Sequence, residues 1–267
     1  MKVLVIGYGN MGKTYSKSFI ASRFIQPADL LILEKKTEQV EATLPEIPKA
    51  NIYIQPGSFI QQADIIILAV KPQDFATLAE HIKPYIHTEQ LVLSIMAGIK
   101  VNTIASLLGA SKVVRSMPNL PAQIGMGMTV FTSSPDIDKK ELFIIQNLIN
   151  TTGKSVYVED ENMIDAATAV SGSGPAYVYY FMEAMIQAGV KMGFTPAQAE
   201  LLVNQTFMGA VHLHNQSDLT CNEWIQRVAS KGGTTEAAIK VFGSDSVDTK
   251  IDAGLFAAFN RAKELGS

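Results

Sequence analysis

Val3-Leu4-Val5-Ile6-Gly7-Tyr8-Gly9-Asn10-Met11-Gly12 opens the chain and decides its fold. Four consecutive apolar residues fit a short parallel strand buried on both faces. The glycine run follows directly, and a helical stretch then continues to about Ser22. Gly7 permits a tight turn, Gly9 lets a pyrophosphate approach the backbone, and Gly12 lets the helix pack close to the strand. A lone glycine pattern is a weak signal. This one sits between a strand and a helix and is followed by a second apolar run, Leu30–Leu33. It predicts a dinucleotide site with Gly7, Gly9, Asn10, Met11 and Gly12 at the phosphates.

Glu34 ends the second run. An acidic side chain there hydrogen-bonds the adenosine ribose and favours NAD. Lys35 and Lys36 follow and offer the opposite reading, neutralisation of a 2′-phosphate. The cofactor is therefore NADH or NADPH, with a lean to NADH.

The α/β rhythm continues through strands predicted at 51–54, 63–70, 91–95 and 112–116. The last three end in Lys71-Pro72-Gln73, Met96-Ala97-Gly98 and Met117-Pro118-Asn119-Leu120-Pro121. Ligands gather at the carboxyl ends of such strands, and three broken ends in succession suggest a shared crevice. An edge strand is expected at 127–132 and a helix at 139–150, with Gly153 and residues 155–158 closing the unit.

From Glu161 onward the pattern is helical. In Ala167-Thr168-Ala169-Val170-Ser171-Gly172-Ser173-Gly174-Pro175-Ala176-Tyr177, small and hydroxyl-bearing residues precede a proline and a long apolar segment. Proline is tolerated mainly in the first turn of a helix. Ser173 or Gly174 is thus expected to cap a helix whose free N–H groups hold an anion; a tight packing turn is the plainer alternative. Residues 177–192 are apolar on most of their circumference, which points to burial against a partner in an interlocked homodimer; a self-contained helical core is the alternative. Thr195-Pro196 reads as an N-cap followed by proline at the first helical position. Further helices are expected at about 222–229, after Gly232-Gly233-Thr234-Thr235, and over 246–265.

Composition sets the outer limits. The chain has 267 residues, 47% hydrophobic and 18% charged, as in ordinary globular proteins, with a formal net charge of -3. No Lys/Arg run points to nucleic acid, and no apolar run reaches the roughly 20 residues needed to cross a bilayer. No signal peptide is visible, so a cytoplasmic protein is expected. The single cysteine, Cys221, excludes an intrachain disulfide. His81, His87, His212 and His214 lie outside the motifs, and the 212/214 spacing makes a poor metal pair, so no metal is expected.

Taken together, the chain resembles the pyrroline-5-carboxylate reductase family over nearly its whole length. The likeness rests on the opening glycine run, Ala69-Val70-Lys71-Pro72-Gln73, Arg115-Ser116-Met117-Pro118-Asn119-Leu120-Pro121, Ser171-Gly172-Ser173-Gly174-Pro175-Ala176-Tyr177 and Gly232-Gly233-Thr234-Thr235. It implies an α/β Rossmann dinucleotide-binding domain, residues 1–160, followed by an all-α dimerisation and substrate domain, residues 161–267. The family dimerises by intertwining, sometimes into larger rings. Its reaction transfers a nicotinamide hydride to the C=N carbon of 1-pyrroline-5-carboxylate and gives L-proline. A cyclic imine is basic enough to arrive protonated, so the site needs placement and exclusion of water more than a strong acid.

By the same resemblance, the substrate carboxylate rests on the turn Ser230-Lys231-Gly232-Gly233-Thr234. Thr234 and Thr235 add hydroxyls, with Thr235 assigned to the ring nitrogen, and Asp218 falls where the family has an acidic residue that stabilises the iminium. A loop or cap role for Asp218 is an equal alternative. Ser171 and Ser173 lie beside the nicotinamide and contact the substrate ring, while the carboxylate role moves mainly to the second helix start. Ala69, Val70, Lys71, Pro72, Met117, Pro118 and Asn119 line the cofactor.

The chain departs from the family at Lys231, usually proline, at Thr220-Cys221, usually His-Pro, at Pro56-Gly57, often asparagine, and at Glu34. Two other readings stand beside the main one. The first is a reductase of another cyclic imine or of a 3-hydroxy acid, although the hydroxy-acid type needs a lysine early in the helix after Pro175 and none occurs before Lys191. The second is a non-catalytic regulatory NAD(P)-binding protein.

Overall fold

Residues 1–266 are described by a computed structural model. The elements of the first half are β1 (Val3–Ile6), α1 (Asn10–Ala21), β2 (Leu30–Leu33), α2 (Thr37–Thr43), β3 (Ile52–Tyr53), β4 (Ile65–Leu68) and α3 (Pro72–Ile82). They continue with β5 (Leu91–Ser94), α4 (Val101–Leu108), β6 (Val113–Met117), β7 (Gly127–Ser133), α5 (Lys139–Asn150) and β8 (Gly153–Tyr157). The strands form one sheet in the order β3-β2-β1-β4-β5-β6-β7-β8. Strands β1 to β6 pair in parallel, β7 runs antiparallel to β6, and β8 is parallel to β7. The order reverses between β2 and β4 around β1, which is the switch point where a doubly wound sheet takes its ligand.

The continuous apolar runs are explained by burial on both faces. Val3, Val5, Ile32, Ile67 and Leu93 pack under Tyr15 and Phe19 of α1 and Ile145, Leu148 and Ile149 of α5. Leu4, Ile6, Leu31, Ile66 and Leu68 face Phe75, Ala79 and Ile82 of α3 and Val101, Ile104 and Leu108 of α4. Side chains of a strand alternate between its faces, so one run feeds two cores.

Two expectations need correction here. The strand expected at the sheet edge is internal, because β8 pairs along its outer side from Gly127↔Gly153 to Phe131↔Tyr157. The third strand shrinks to Ile52–Tyr53, ahead of Pro56-Gly57.

The second half is helical: α6 (Asn162–Ala167), a π-helical turn (Thr168–Gly172), α7 (Gly174–Lys191), α8 (Pro196–Asn215), α9 (Cys221–Val228), α10 (Thr234–Ser244) and α11 (Val247–Leu265). Thr195 caps α8, its Oγ1 accepting the Gln198 N–H at 3.3 Å. No helix among the described residues is long and apolar enough to cross a membrane.

By packing, the chain divides into one compact unit of Met1–Ser173 with the chain from Ala258 onward, and a second of Gly174–Ala257. This division falls 13 residues beyond the boundary read from the sequence, 173 less 160. Segment 161–173 belongs to the sheet unit because buried Arg115 of β6 pairs with Glu161 and Asp165. In the same unit, the Leu265 carbonyl lies against Gly98, where a Cβ would come within 2.8 Å of it. Within the second unit α7 buries none of its residues, and Tyr180 keeps 74% of its surface exposed. An apolar helix left this open in one chain is the face expected to meet a partner.

Candidate active site

The glycine turn is built by close approach. Gly7 has φ +94° and donates its N–H to the Leu33 carbonyl at 2.9 Å. A Cβ on Gly7 would lie 2.9 Å from the Ala69 carbonyl oxygen. A Cβ on Gly12 would lie 2.1 Å from the Gly7 carbonyl oxygen, so α1 stands against the turn with no room for a methyl group. Gly9 differs: a Cβ there meets nothing within 4 Å. Its backbone faces open space, as a passage for phosphates requires. Asn10 and Met11 begin α1, whose first N–H groups have no carbonyl to bond within the helix.

Glu34 reaches back to this turn. Its Oε2 accepts the Tyr8 N–H at 2.8 Å and its Oε1 accepts the Lys36 N–H at 3.1 Å. The carboxylate is thus fixed at the end of β2 rather than loose in solvent. Tyr8 is buried and shares a 2.8 Å hydrogen bond with Thr43 Oγ1, and burial holds its phenol above the ordinary value. A cleft of about 600 Å³ runs from Gly7 and Gly9 past Glu34, Lys35, Ala69, Val70 and Lys71 to Ile54, Pro56 and His81. Its chemistry fits a dinucleotide: open backbone at one end, a fixed carboxylate for ribose hydroxyls, and apolar walls for a base. Lys71 precedes α3, and Pro72 stands at the start of that helix, where no N–H is needed.

The Met117-Pro118-Asn119 turn follows β6. Asn119 Nδ2 donates to the Ser171 carbonyl at 3.2 Å and to Ser171 Oγ at 3.3 Å, while its Oδ1 accepts the Met128 N–H at 2.8 Å. Asn119 therefore serves as a tie between the turn, β7 and Ser171.

The helix expected from Ser173 or Gly174 begins at Gly174, but without the free N-terminal end. Ser173 is itself helical in backbone (φ −84°, ψ −17°), and its N–H bonds to the Thr168 carbonyl at 2.8 Å. The backbone stays helical from α6 through the π-turn into α7, so no free N–H groups open there to hold an anion. The π-turn explains how proline is accommodated. Pro175 has no N–H for the carbonyl four residues back, that of Ser171. Widening the ladder relieves the crowding, and Asn119 supplies the missing donor.

In the helical unit, Gly232 (φ +75°) turns the chain ahead of α10. Three of the turn's N–H groups are already engaged: Ser230 donates to the Val228 carbonyl at 3.2 Å, Gly233 to the Ser230 carbonyl at 2.9 Å, and Gly232 to Glu236 Oε2 at 2.6 Å. Thr234 and Thr235 form the first turn of α10, where N–H groups lack intrahelical partners. Lys231 is exposed, and Asp218 is exposed in the loop before α9. Thr220 caps α9 in a reciprocal box with Glu223, whose carboxyl the Thr220 N–H and hydroxyl hold below its ordinary value.

Arg115, Glu161, Asp165 and Glu236 carry roles in the structure that the sequence motifs do not assign. The signal for the first was present, because a charged residue inside a buried strand demands a buried partner.

The sheet order, the glycine turn and the fixed carboxylate beyond β2 define a dinucleotide-binding oxidoreductase fold. A family model described as pyrroline-5-carboxylate reductase dimerisation matches residues 161–265, and one described as NADP oxidoreductase coenzyme F420-dependent matches residues 2–98. A pyrroline-5-carboxylate reductase of Staphylococcus aureus (strain COL) is 31% identical over 268 residues, covering 100% of this chain and 98% of the relative. One from Staphylococcus haemolyticus is 30% identical over 99% of this chain and 98% of its own length. Among solved structures, a pyrroline-5-carboxylate reductase from Coxiella burnetii is similar with a TM-score of 0.89 and 31% identity, covering 100% of this chain and 98% of that one. The Plasmodium falciparum pyrroline carboxylate reductase, solved with NADP bound, reaches 0.86 at 28% identity, covering 100% and 98%. The chain belongs to the pyrroline-5-carboxylate reductase family.

Proposed function

We propose that this chain reduces 1-pyrroline-5-carboxylate to L-proline with NADH or NADPH, the last step of proline biosynthesis. The observation that carries the reading is the full-length likeness to such reductases, joined to a dinucleotide cleft that fits by geometry. Bound in that cleft, the reduced nicotinamide supplies the hydride for the C=N carbon. The chain's own part is placement: Gly7, Gly9, Asn10, Met11 and Gly12 receive the phosphates, and Glu34 with Lys35 the adenosine ribose. Ala69, Val70 and Lys71 wall the cleft, and Pro72, Met117, Pro118 and Asn119, with Ser171 and Ser173, take the nicotinamide end beyond it.

The turn Ser230-Lys231-Gly232-Gly233-Thr234 takes the substrate carboxylate. Since Ser230, Gly232 and Gly233 already donate to Val228, Glu236 and Ser230, the N–H groups of Thr234 and Thr235 do most of that work. Thr235 Oγ1 hydrogen-bonds the ring nitrogen, and Asp218 faces the iminium charge. The exposed apolar helices of residues 174–257 seat a second copy, giving a homodimer that can build larger rings, in the cytoplasm. No nucleic acid, membrane or metal takes part.

The test is oxidation of NADH and NADPH followed at 340 nm with pyrroline-5-carboxylate. Turnover with at least one cofactor is expected; a folded, cofactor-binding chain with no turnover would overturn the reading. Thr235→Ala is expected to lower kcat/KM for the imine by about 10- to 100-fold, the worth of one or two kcal-scale hydrogen bonds, with NADH affinity unchanged. Equal loss of both would remove Thr235 from the substrate's side.

A further inference from the structure

Strand β6 and the turn after it present three side chains to segment 161–173. Residues two apart share a face of an extended strand. Arg115, 1% exposed, places Nη1 3.1 Å from Glu161 Oε1 and Nη2 2.7 Å from Asp165 Oδ1. Two residues on, Met117 packs on Gly172 so closely that a Cβ there would lie 2.6 Å from Met117 Cε. Two further, Asn119 holds the carbonyl and hydroxyl of Ser171. Glu161 Oε1 also accepts the Val101 N–H at 2.9 Å, so the same carboxylate anchors the start of α4.

We propose that Arg115 is a positioning residue for hydride transfer: by gripping Glu161 and Asp165 it fixes the height of α6 and the π-turn on the sheet, and with them Ser171. This role rests on the reading above that Ser171 lies at the nicotinamide end. Met117 and Asn119 hold the far end of the segment, at Gly172 and Ser171. Arg115 holds its start from two directions with one planar group, which a lysine ammonium cannot copy. The contact to Gly172 then transmits placement, because a glycine pressed on a side chain has no side chain of its own to adjust. A displacement of about 1 Å in such a wall costs up to about 100-fold in rate.

The test compares the full-length wild type with Arg115→Lys, Asp165→Asn and the neutral triple variant Arg115→Met/Glu161→Gln/Asp165→Asn. Replacing a whole buried ionic cluster by neutral groups often preserves stability, whereas removing one partner strands a buried charge. The triple variant thus separates folding from positioning and stays informative if Arg115→Met alone does not fold. In all three, kcat with pyrroline-5-carboxylate is expected to fall by about 10- to 100-fold. The NADH dissociation constant, read by fluorescence, should stay within about twofold, since the glycine turn and Glu34 are untouched. The kinetic isotope effect on kcat with 4-deuterated NADH should rise, because a misplaced ring slows the hydride step itself. A triple variant with wild-type melting temperature, kcat and isotope effect would overturn the role, as would variants that lose only melting temperature. A wild-type chain without turnover overturns the reduction, and this role with it; unaltered variants of an active wild type overturn this role alone.

Discussion

Gly12→Ala is expected to weaken NADH binding by about 100-fold, or ~2.8 kcal/mol, and to lower stability by about 3 kcal/mol. The added methyl carbon would stand 2.1 Å from the Gly7 carbonyl oxygen, 3.1 Å from the Gly7 carbonyl carbon and 3.2 Å from the Ala69 Cβ. The first two obstacles are backbone atoms, so no side chain can swing aside. Nor can Gly7 yield, because it is held at φ +94° with Ala69 beneath it and its N–H on Leu33. Helix α1 must therefore lift by about 1 Å from a close-packed contact. That movement carries the N–H groups of its first turn away from the phosphate path and opens the packing of Tyr15 and Phe19 on the sheet. Gly9→Ala is the control. Its methyl meets no protein atom within 4 Å, so stability should hold to within about 0.5 kcal/mol while binding still falls, because the group projects into the phosphate passage. Urea unfolding and fluorescence titration with NADH read both variants. A Gly12→Ala chain that binds NADH as wild type does would show that the helix start does not hold the phosphates.

The same residues show why the first half was so legible. A buried parallel sheet favours unbroken apolar runs, and those runs mark β1, β2 and β4 directly and the first three residues of β5, whereas β6 carries Arg115 and Ser116. The glycine spacing marks the turn because each glycine answers a separate steric demand. The outer strands were less legible for an equally physical reason. Which strand forms the edge depends on pairing between Gly127 and Gly153, a long-range backbone contact with no local periodicity. The π-turn was hidden similarly. Pro175 after a run of small residues reads as a helix start, since a proline inside a helix loses a hydrogen bond and crowds a carbonyl. What permits it here is a donor 56 residues earlier in the chain, Asn119 by number against 175. No local rule contains that information.

The site divides along the same line. Glu34 could be placed from sequence because its position at the end of β2 is fixed by the fold class. The N–H groups of the 230–234 turn could be counted but not apportioned. That Gly232 donates to Glu236 and Gly233 to Ser230 depends on how the loop closes on itself. Arg115 is the intermediate case. Its burial follows from its place inside β6, while its partners follow from the docking of a helix that lies 46 and 50 positions away.

Glu34→Gln is expected to raise kcat/KM with NADPH by about 10- to 100-fold while changing the value with NADH less than threefold, so that a chain preferring NADH loses most of its preference. The carboxylate is pinned by the Tyr8 and Lys36 N–H groups and cannot turn away from a group placed beside it. A ribose diol donates to it, whereas a 2′-phosphate brings a second negative charge. Two unit charges about 4 Å apart repel by ~4 kcal/mol at an effective dielectric of about 20, and partial exposure with screening by salt leaves a part of that. Exposed Lys35 and Lys36 offset some of the repulsion, which is why the expected factor is tens rather than thousands. Glutamine keeps the length and one carbonyl oxygen, so the turn retains an acceptor for a backbone N–H and the charge is the main quantity removed. The readout is the ratio of kcat/KM with NADH to that with NADPH, at low and at high salt. A wild-type ratio above one that narrows with salt and collapses in the variant assigns the preference to Glu34. A wild-type ratio below one, unmoved by Glu34→Gln and inverted by neutralising Lys35 and Lys36, would assign the adenosine end of the cleft to the two lysines instead.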